Sequence, residues 1–330
     1  MGDFTWKDGE RWIVFRRGGL AAAPDLLRER GWSEFELMTT PRALEAAPDE
    51  LSSSADVHSV PPGGVPEAAA EIIDRMRGGS IVALGGGRVI DAAKAIAAIR
   101  GGRVCALPTT LSGAPMTAIH RLPVGHEAPR LIRPELVIAD PDAMTSLSEE
   151  GLRATAMNAL AHGAESLYTP LANPVAGMAA LRGAKLIATA LDADPAERDP
   201  AALALGALLC GYAVDSTGFA LHHVLGQTTV RTCGTPHAET YAALLPRTME
   251  AMYPRAPDQI AALAEALGTE PKRIGERIEA LGGRRRLGEL GAERGCIDAV
   301  VEAAGQRDQL AMTPDPPDAA EIRRIIEAAW

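Results

Sequence analysis

The chain has 330 residues, 47% of them hydrophobic but only 4% aromatic, with a formal net charge of −10. That length suffices for two domains with substantial cores, and the acidic balance argues against a nucleic-acid surface, because a phosphate backbone is held by a cationic face. No uninterrupted apolar run approaches the roughly 20 residues that span a bilayer, and the opening MGDFTWKDGERW lacks the charged-then-apolar pattern of a secretion signal, so a soluble, cytoplasmic protein is the expectation. Cys105, Cys210, Cys233 and Cys296 show no CxxC spacing, which predicts reduced thiols rather than a disulfide framework.

From the N-terminus, Trp12 to Phe15 reads as a short strand and Leu20 to Arg30 has helical spacing. Phe35 to Met38 is a second strand that stops at Thr39, Thr40 and Pro41. Hydroxyl donors and open backbone at a strand's carboxyl end are where open α/β sheets collect ligands. Val57 to Val60 is a third strand, and Pro66 to Arg77 a helix with Pro near its first turn. Ser80 to Leu84 then runs straight into Gly85, Gly86 and Gly87 and a helical Arg88 to Arg100. Glycines let the backbone approach a pyrophosphate, and the helix start adds free N–H groups and a positive dipole end. A glycine turn that merely packs a strand on a helix is the plainer alternative, and the GxGxxG dinucleotide fingerprint is not met. Asp91, one turn on, could reach a ribose or nicotinamide group or could simply favour the helix dipole. Val104 to Leu107 repeats the pattern, running out into Thr109, Thr110 and Ser112, and Leu136 to Ala139 closes the alternating region.

After about Thr145 the β-branched runs give way to helical segments, approximately 150–168, 174–192, 200–220, 237–253, 257–267, 271–281, 296–306 and 318–330. The predicted class is therefore α/β plus all-α: an α/β domain over residues 1–147 and an all-helical one over 148–330, with ligands expected in a cleft between them.

Three of the seven histidines fall between Leu221 and Pro246. His222 and His223 adjoin, and His237 follows Pro236 after a polar, Gly-containing stretch. Two structured pieces joined by a turn could bring His223 and His237 together as a metal or acid–base site. Equally, His222 and His223 could be satisfied helix residues and His237 a cap of the next helix. Upstream, Asn158 and His162 lie four apart in an Ala-rich segment and so share one helix face. Core packing alone does not offset the cost of burying such a polar pair, which aims it at a site.

GGGRVIDAAK at 85–94, PTTLSGAPMT at 108–117, ATAMNALAHGAESLY at 154–168, NPV at 173–175, LLCG at 208–211, and LHHVLGQ with PHAET within 221–241 together resemble the iron-containing alcohol dehydrogenase superfamily, and within it most the maleylacetate reductases. The resemblance runs from near Ile13 to the closing EAAW at 327–330. It implies a dehydroquinate synthase-like fold: a Rossmann-like nucleotide-binding N-terminal domain and a helical C-terminal one. It also implies NADH or NADPH with its pyrophosphate on the glycine turn. Thr39, Thr40, Pro41, Gly85, Gly86, Gly87, Arg88, Asp91, Thr109, Thr110 and Ser112 are then the expected cofactor residues.

Metal-dependent members of that superfamily hold a dication with an Asp and a His four apart and two further His fourteen apart; the matching positions are Asn158, His162, His223 and His237. A neutral amide oxygen cannot offset a dication's charge as a carboxylate does. A site without metal is expected, with His162, His223 and His237 as ligands if one is held. Many members carry another His four residues beyond position 223, where this chain has Gln227. Arg88 stands where Ser is usual, and the segment from His120 to Arg133 is shorter than in maleylacetate reductases. The implied activity is NAD(P)H-dependent reduction of maleylacetate, or a similar unsaturated oxo-dicarboxylate, to 3-oxoadipate in aromatic-compound degradation. His162, His222, His223, His237 and Asn158 are the expected catalytic residues and a small anionic molecule the substrate. The alternatives are a metal-dependent alcohol dehydrogenase or aldehyde reductase, and a nucleotide-binding paralogue that has lost its chemistry. Arg42 could suit a 2′-phosphate, and NADH and NADPH both stay open. A homodimer without nucleic-acid or membrane partners is expected.

Overall fold

Strands that are apolar along most of their length belong inside a sheet covered on both faces, and five of the six runs read as strands take those places, while the one at Val57 to Val60 falls on the edge. The computed structural model describes residues 2–53, 55–128 and 130–330, so Pro129 of the short His120–Arg133 segment lies outside the described residues. The chain divides into two compact units, Met1–Ser146 and Leu147–Trp330.

In the first unit the order is β1 (Phe4–Asp8), β2 (Arg11–Phe15), α1 (Ala23–Glu29), β3 (Glu36–Thr39), α2 (Pro41–Glu45), α3 (Asp49–Ser53), β4 (Asp56–Ser59), α4 (Val65–Ile73), β5 (Gly79–Gly85), α5 (Gly87–Arg100), β6 (Gly102–Pro108), β7 (Leu136–Ala139) and α6 (Pro141–Met144). They form one seven-stranded sheet in the order β1-β2-β7-β6-β5-β3-β4, parallel throughout except that β1 runs antiparallel to β2. β3 and β7 are wholly buried, whereas β4, the edge strand, is mostly exposed. On one face Leu26 and Leu27 of α1 pack with Leu37, Val82, Leu84, Cys105 and Ile138, each such burial stabilising by about 1.5–3 kcal/mol. α5 lies against β5 and β6 and beside α4.

Two features of this sheet position a site. The connection from β3 leads outward to β4 while that from β5 leads the other way to β6, so the chain's crossovers diverge between β3 and β5. The crevice beyond the carboxyl ends of such strands is where open α/β sheets bind ligands. Gly85 also pairs with Pro108 across β5 and β6, and the Thr109 amide donates to the Gly85 carbonyl at 3.0 Å. The glycine turn and the Thr109–Ser112 segment therefore leave the sheet side by side. β1 was not anticipated: its run is short and interrupted by charge, and the signal for it is the Asp8-Gly9 turn, where Gly9 adopts a φ of +61° as tight hairpins require.

The second unit is helical: α7 (Glu149–Glu165), α8 (Pro174–Asp192), α9 (Pro200–Thr217), α10 (Leu221–Cys233), α11 (His237–Met252), α12 (Pro257–Leu267), α13 (Ile274–Gly282), α14 (Ile297–Gly305) and α15 (Ala319–Ala328). α7 packs on α8, α9, α11 and α13, and α10 on α11 and α14. α9 is long and apolar enough by composition to cross a membrane, yet 61% of it is buried among α7 and α8, the setting of a core helix.

One expectation is corrected here. Cys233 and Cys296 form a disulfide with Cα atoms 5.8 Å apart, while Cys105 and Cys210 are free, buried thiols. The bonded pair stands 63 residues apart, so no local spacing announces it. Only the packing of α10 on α14 brings the end of one helix to the turn that precedes the other.

Candidate active site

The glycine turn of the first unit has its shape because nothing larger fits. A Cβ on Gly86 would lie 3.0 Å from Cγ2 of Thr110, and one on Gly87 would lie 2.9 Å from Oγ of Ser112. Gly86 is the N-cap of α5, and no side chain caps that helix, so its first-turn amides are left to an anion. The structure thus gathers Gly85, Gly86, Gly87, Thr109, Thr110 and Ser112 into one cradle. This is an arrangement that fits a pyrophosphate.

The other expected cofactor residues are distributed differently. The buried Thr39 hydroxyl donates to the Thr40 carbonyl at 3.3 Å, and the Thr40 hydroxyl accepts from Ala43 N at 3.4 Å to cap α2, which begins at Pro41. Both hydroxyls are thus engaged locally. Arg88 is exposed on the first turn of α5. Arg42 donates to the carbonyl and hydroxyl of Ser146, both at 3.3 Å. Asp91 faces Nζ of Lys94 at 2.7 Å. That lysine is fully buried and donates to the carbonyls of Ala114 (3.0 Å), Thr117 (2.9 Å) and Ile119 (3.1 Å). Lys94 therefore ties the segment after Ser112 to α5 and holds the cradle closed on that side, a role that the sequence reading missed.

In the second unit α7, α10 and α11 bring the histidines together. Asn158 and His162 share the inward face of α7; Asn158 is buried and its Oδ1 has no hydrogen-bond partner. The His162 ring stacks on His223 with centroids 4.7 Å apart. His223 lies in the first turn of α10, where its Nδ1 donates to Glu165, a residue with no exposed surface. Glu165 also accepts from the amides of His222 (2.7 Å) and His223 (3.3 Å) and from the Tyr168 hydroxyl (3.4 Å). With its Nδ1–H committed to the carboxylate, His223 presents a buried Nε2 that bonds nothing in the protein.

His222 is constrained in the same way by a neutral partner. Its Nδ1 lies 3.0 Å from the Thr248 hydroxyl, which is also within hydrogen-bonding distance of the Leu244 and Leu245 carbonyls; with the hydroxyl proton on a carbonyl, the imidazole is the donor. Burial first, and then the neighbouring His223, hold His162 and His222 well below the usual imidazole pKa, because a dry cluster disfavours charge. Both rings are therefore neutral.

His237 opens α11 directly after Pro236 and is exposed. It meets the other histidines through Tyr241, one turn along the same helix. That fully buried ring lies against His237 (4.4 Å), His223 (5.1 Å) and His222 (5.3 Å). Gly226 makes this possible, since a Cβ there would sit 2.7 Å from the tyrosine ring. Glu165 and Tyr241 were both missed in the sequence. Their signals were present as an acid three residues after His162 and an aromatic four after His237, each on the face already singled out.

Neutral imidazoles are the form that ligates a metal, and His162 Nδ1, His223 Nε2 and Asn158 Oδ1 are buried without a hydrogen-bond partner. His162 and His223 with Asn158 would hold a divalent ion if one is bound, and Asn158 would bring it an uncharged oxygen in place of a carboxylate, which lowers the affinity.

The model of the iron-containing alcohol dehydrogenase family matches residues 11–141, and that of the Fe-containing alcohol dehydrogenase family, C-terminal, matches residues 153–330. The chain belongs to this family. It is accordingly an oxidoreductase. Among curated relatives, maleylacetate reductase of Rhizobium sp. is 30% identical, with 100% of this chain and 98% of that protein covered. Maleylacetate reductase 1 of Rhodococcus opacus is 33% identical over 76% of this chain and 72% of its own length. The crystal structure of the Rhizobium maleylacetate reductase superposes with a TM-score of 0.85 at 29% identity, covering 100% of this chain and 98% of that one. An iron-containing alcohol dehydrogenase from Corynebacterium glutamicum does so with a TM-score of 0.84 at 26% identity, covering 96% and 94%. The α/β unit followed by a helical unit is thus the family's fold.

Proposed function

We propose that this family member reduces maleylacetate, or a closely similar unsaturated oxo-dicarboxylate, to 3-oxoadipate with NADH or NADPH. The observation that carries this reading is the buried Glu165–His223 pair, with a bare Nε2 beside the neutral His162 and the uncharged amide of Asn158. The glycine turn with Thr110 and Ser112 would hold the dinucleotide's pyrophosphate. When bound, the nicotinamide supplies the hydride.

Reduction adds one hydride and one proton across the carbon–carbon double bond conjugated to the ketone, and the oxidised nicotinamide leaves. The protein's part is to stabilise the enolate that forms and to deliver the proton. His223, whose Nδ1 is held by the Glu165 carboxylate, would deliver the proton. Neutral His162 and His222, with Asn158, serve as positioned polar groups. The relatives' identity as maleylacetate reductases supports the substrate class. A homodimer of the cytoplasm belongs to the same proposal.

The test is oxidation of NADH and NADPH by freshly generated maleylacetate, with and without a chelator. Chelator-insensitive turnover is expected. Metal-stimulated reduction of simple aldehydes, with none on maleylacetate, would move the assignment to the metal-dependent alcohol dehydrogenases.

A further inference from the structure

In the first unit, one buried ammonium gathers oxygens from two stretches of chain. Lys94 stands two turns into α5 and has no exposed surface. Its Nζ meets the carbonyls of Ala114, Thr117 and Ile119 at 3.0, 2.9 and 3.1 Å and the Thr117 hydroxyl at 3.4 Å. These three carbonyls match the three protons that an ammonium carries. Asp91 Oδ1, one turn back on the same helix, lies 2.7 Å from Nζ yet is buried without a hydrogen-bond partner, so the carboxylate serves as a counter-ion. The Asp91 side chain is 26% exposed although Oδ1 is buried, which leaves Oδ2 as its accessible oxygen.

We propose that Lys94 is a positioning residue for the dinucleotide, setting the Asp91 carboxylate and the segment that follows Ser112 against the glycine turn. This rests on the reading of Gly85, Gly86, Gly87, Thr110 and Ser112 as the pyrophosphate cradle. Lys94 would touch neither cofactor nor substrate, because protein oxygens already surround its charge. Gly87, Asp91 and Lys94 follow one another at helical spacing and so share a face of α5. That face runs along the segment: a Cβ on Gly87 would meet Ser112 Oγ at 2.9 Å and Ala114 Cβ at 3.8 Å, and Lys94 takes over from Ala114 onward.

The segment needs such a centre. Between β6 and β7, residues 109–135 hold one 3-10 turn, Ala114–Met116, as their regular structure among the described residues. Backbone carbonyls outside helix and sheet require other donors when buried. Arg11 donates to the Met116 carbonyl at 3.0 Å, and Lys94 serves the carbonyls on either side of it while also reaching Asp91. A neutral side chain at position 94 would leave those carbonyls without a donor and the carboxylate without its cation. Asp91 and the stretch after Ser112 would then shift together, and both adjoin the cradle.

The experiment measures binding in the full-length protein, with whichever of NADH and NADPH the wild type holds more tightly. Wild type, Lys94→Ala and Asp91→Asn are titrated by nucleotide fluorescence and melted, each with and without propylammonium, which supplies the atoms that the lysine truncation removes. Lys94→Ala should bind the dinucleotide about 10- to 100-fold more weakly, the size of a hydrogen bond to a charged group. Propylammonium should recover several-fold of that affinity, and propanol, uncharged, should not. Asp91→Asn should also bind more weakly, with no response to the amine. Equal affinity in wild type and Lys94→Ala, or an amine that restores the melting temperature but not the affinity, would overturn the positioning role. If Lys94→Ala does not fold, hydrogen exchange of the wild type decides: the dinucleotide should slow exchange at residues 114–119, and unchanged exchange there would overturn the role. A wild type that binds neither nucleotide would instead sink the cradle reading, and the role of Lys94 with it.

Discussion

Glu165 and His223 meet inside the helical unit, the imidazole Nδ1 donating to a carboxylate that also receives the backbone amides of His222 and His223. One acidic side chain thereby anchors the start of α10 and fixes the tautomer of a site histidine. Replacing Glu165 by Gln keeps a hydrogen-bonding group of the same size and removes the negative charge beside the His223 ring. kcat should fall by about 10²-fold or more, with KM and NADH affinity within a few-fold of wild type. The pH profile of kcat should also change, a readout that loss of packing would not move. An unaltered kcat would show that the pair only anchors the helix.

Asn158 lies where a carboxylate would complete a metal site, and its Oδ1 is buried without a partner. Turnover by the wild type should survive dialysis against a chelator, and Asn158→Asp should acquire affinity for zinc or ferrous ion, measured by metal analysis after gel filtration. Stoichiometric metal in the wild type, required for activity, would overturn the metal-free reading.

The Cys233–Cys296 disulfide closes a loop with a sequence separation of 63. A loop of that length constrains the unfolded chain by about 4 kcal/mol. Cys233→Ser, or a dithiol reductant acting on the wild type, should lower the melting temperature by several degrees, and reductant should have no further effect on the variant. If the melting temperature is the same with and without reductant, the bond is not formed in solution.

His120 is buried, and its Nε2 accepts from the Ile132 amide at 3.3 Å. Burial and then the neighbouring Lys94 push its pKa down to about 4. An imidazole depressed in this way leaves stability intact above the ordinary value near 6.5 and removes it as the pH falls, because the unfolded chain takes up the proton first. Between pH 7.5 and 4.5 this one group should cost roughly 2.5 kcal/mol. Urea unfolding of wild type and His120→Asn at the two pH values should show the variant losing less by that amount, and parallel losses would count against it.

Much of the fold was legible because it is written in local periodicity. The strand runs at 12–15, 80–84, 104–107 and 136–139 are nearly continuous apolar stretches, and they became buried parallel strands. The glycine run at 85–87 announced a turn that admits no side chain, and the Cβ contacts at Gly86 and Gly87 give the reason. Asn158 and His162 needed only the helical period to share a face.

What the sequence by itself determined, then, was every feature set by neighbours a few residues apart: the strands, the helices, the glycine turn, and the residues able to line a site. Only the tertiary structure decided which of them meet. It brought Glu165 to His223 across 58 residues, Tyr241 among three imidazoles, Arg307 to Gln227 across 80, and Cys233 to Cys296 across 63. It also turned the hydroxyls of Thr39 and Thr40 from open donors into a backbone contact and a helix cap. The physical reason is that hydrogen bonds, ring contacts and disulfides act only over a few ångströms in space, and the packing of helices, rather than the order of residues, sets those distances.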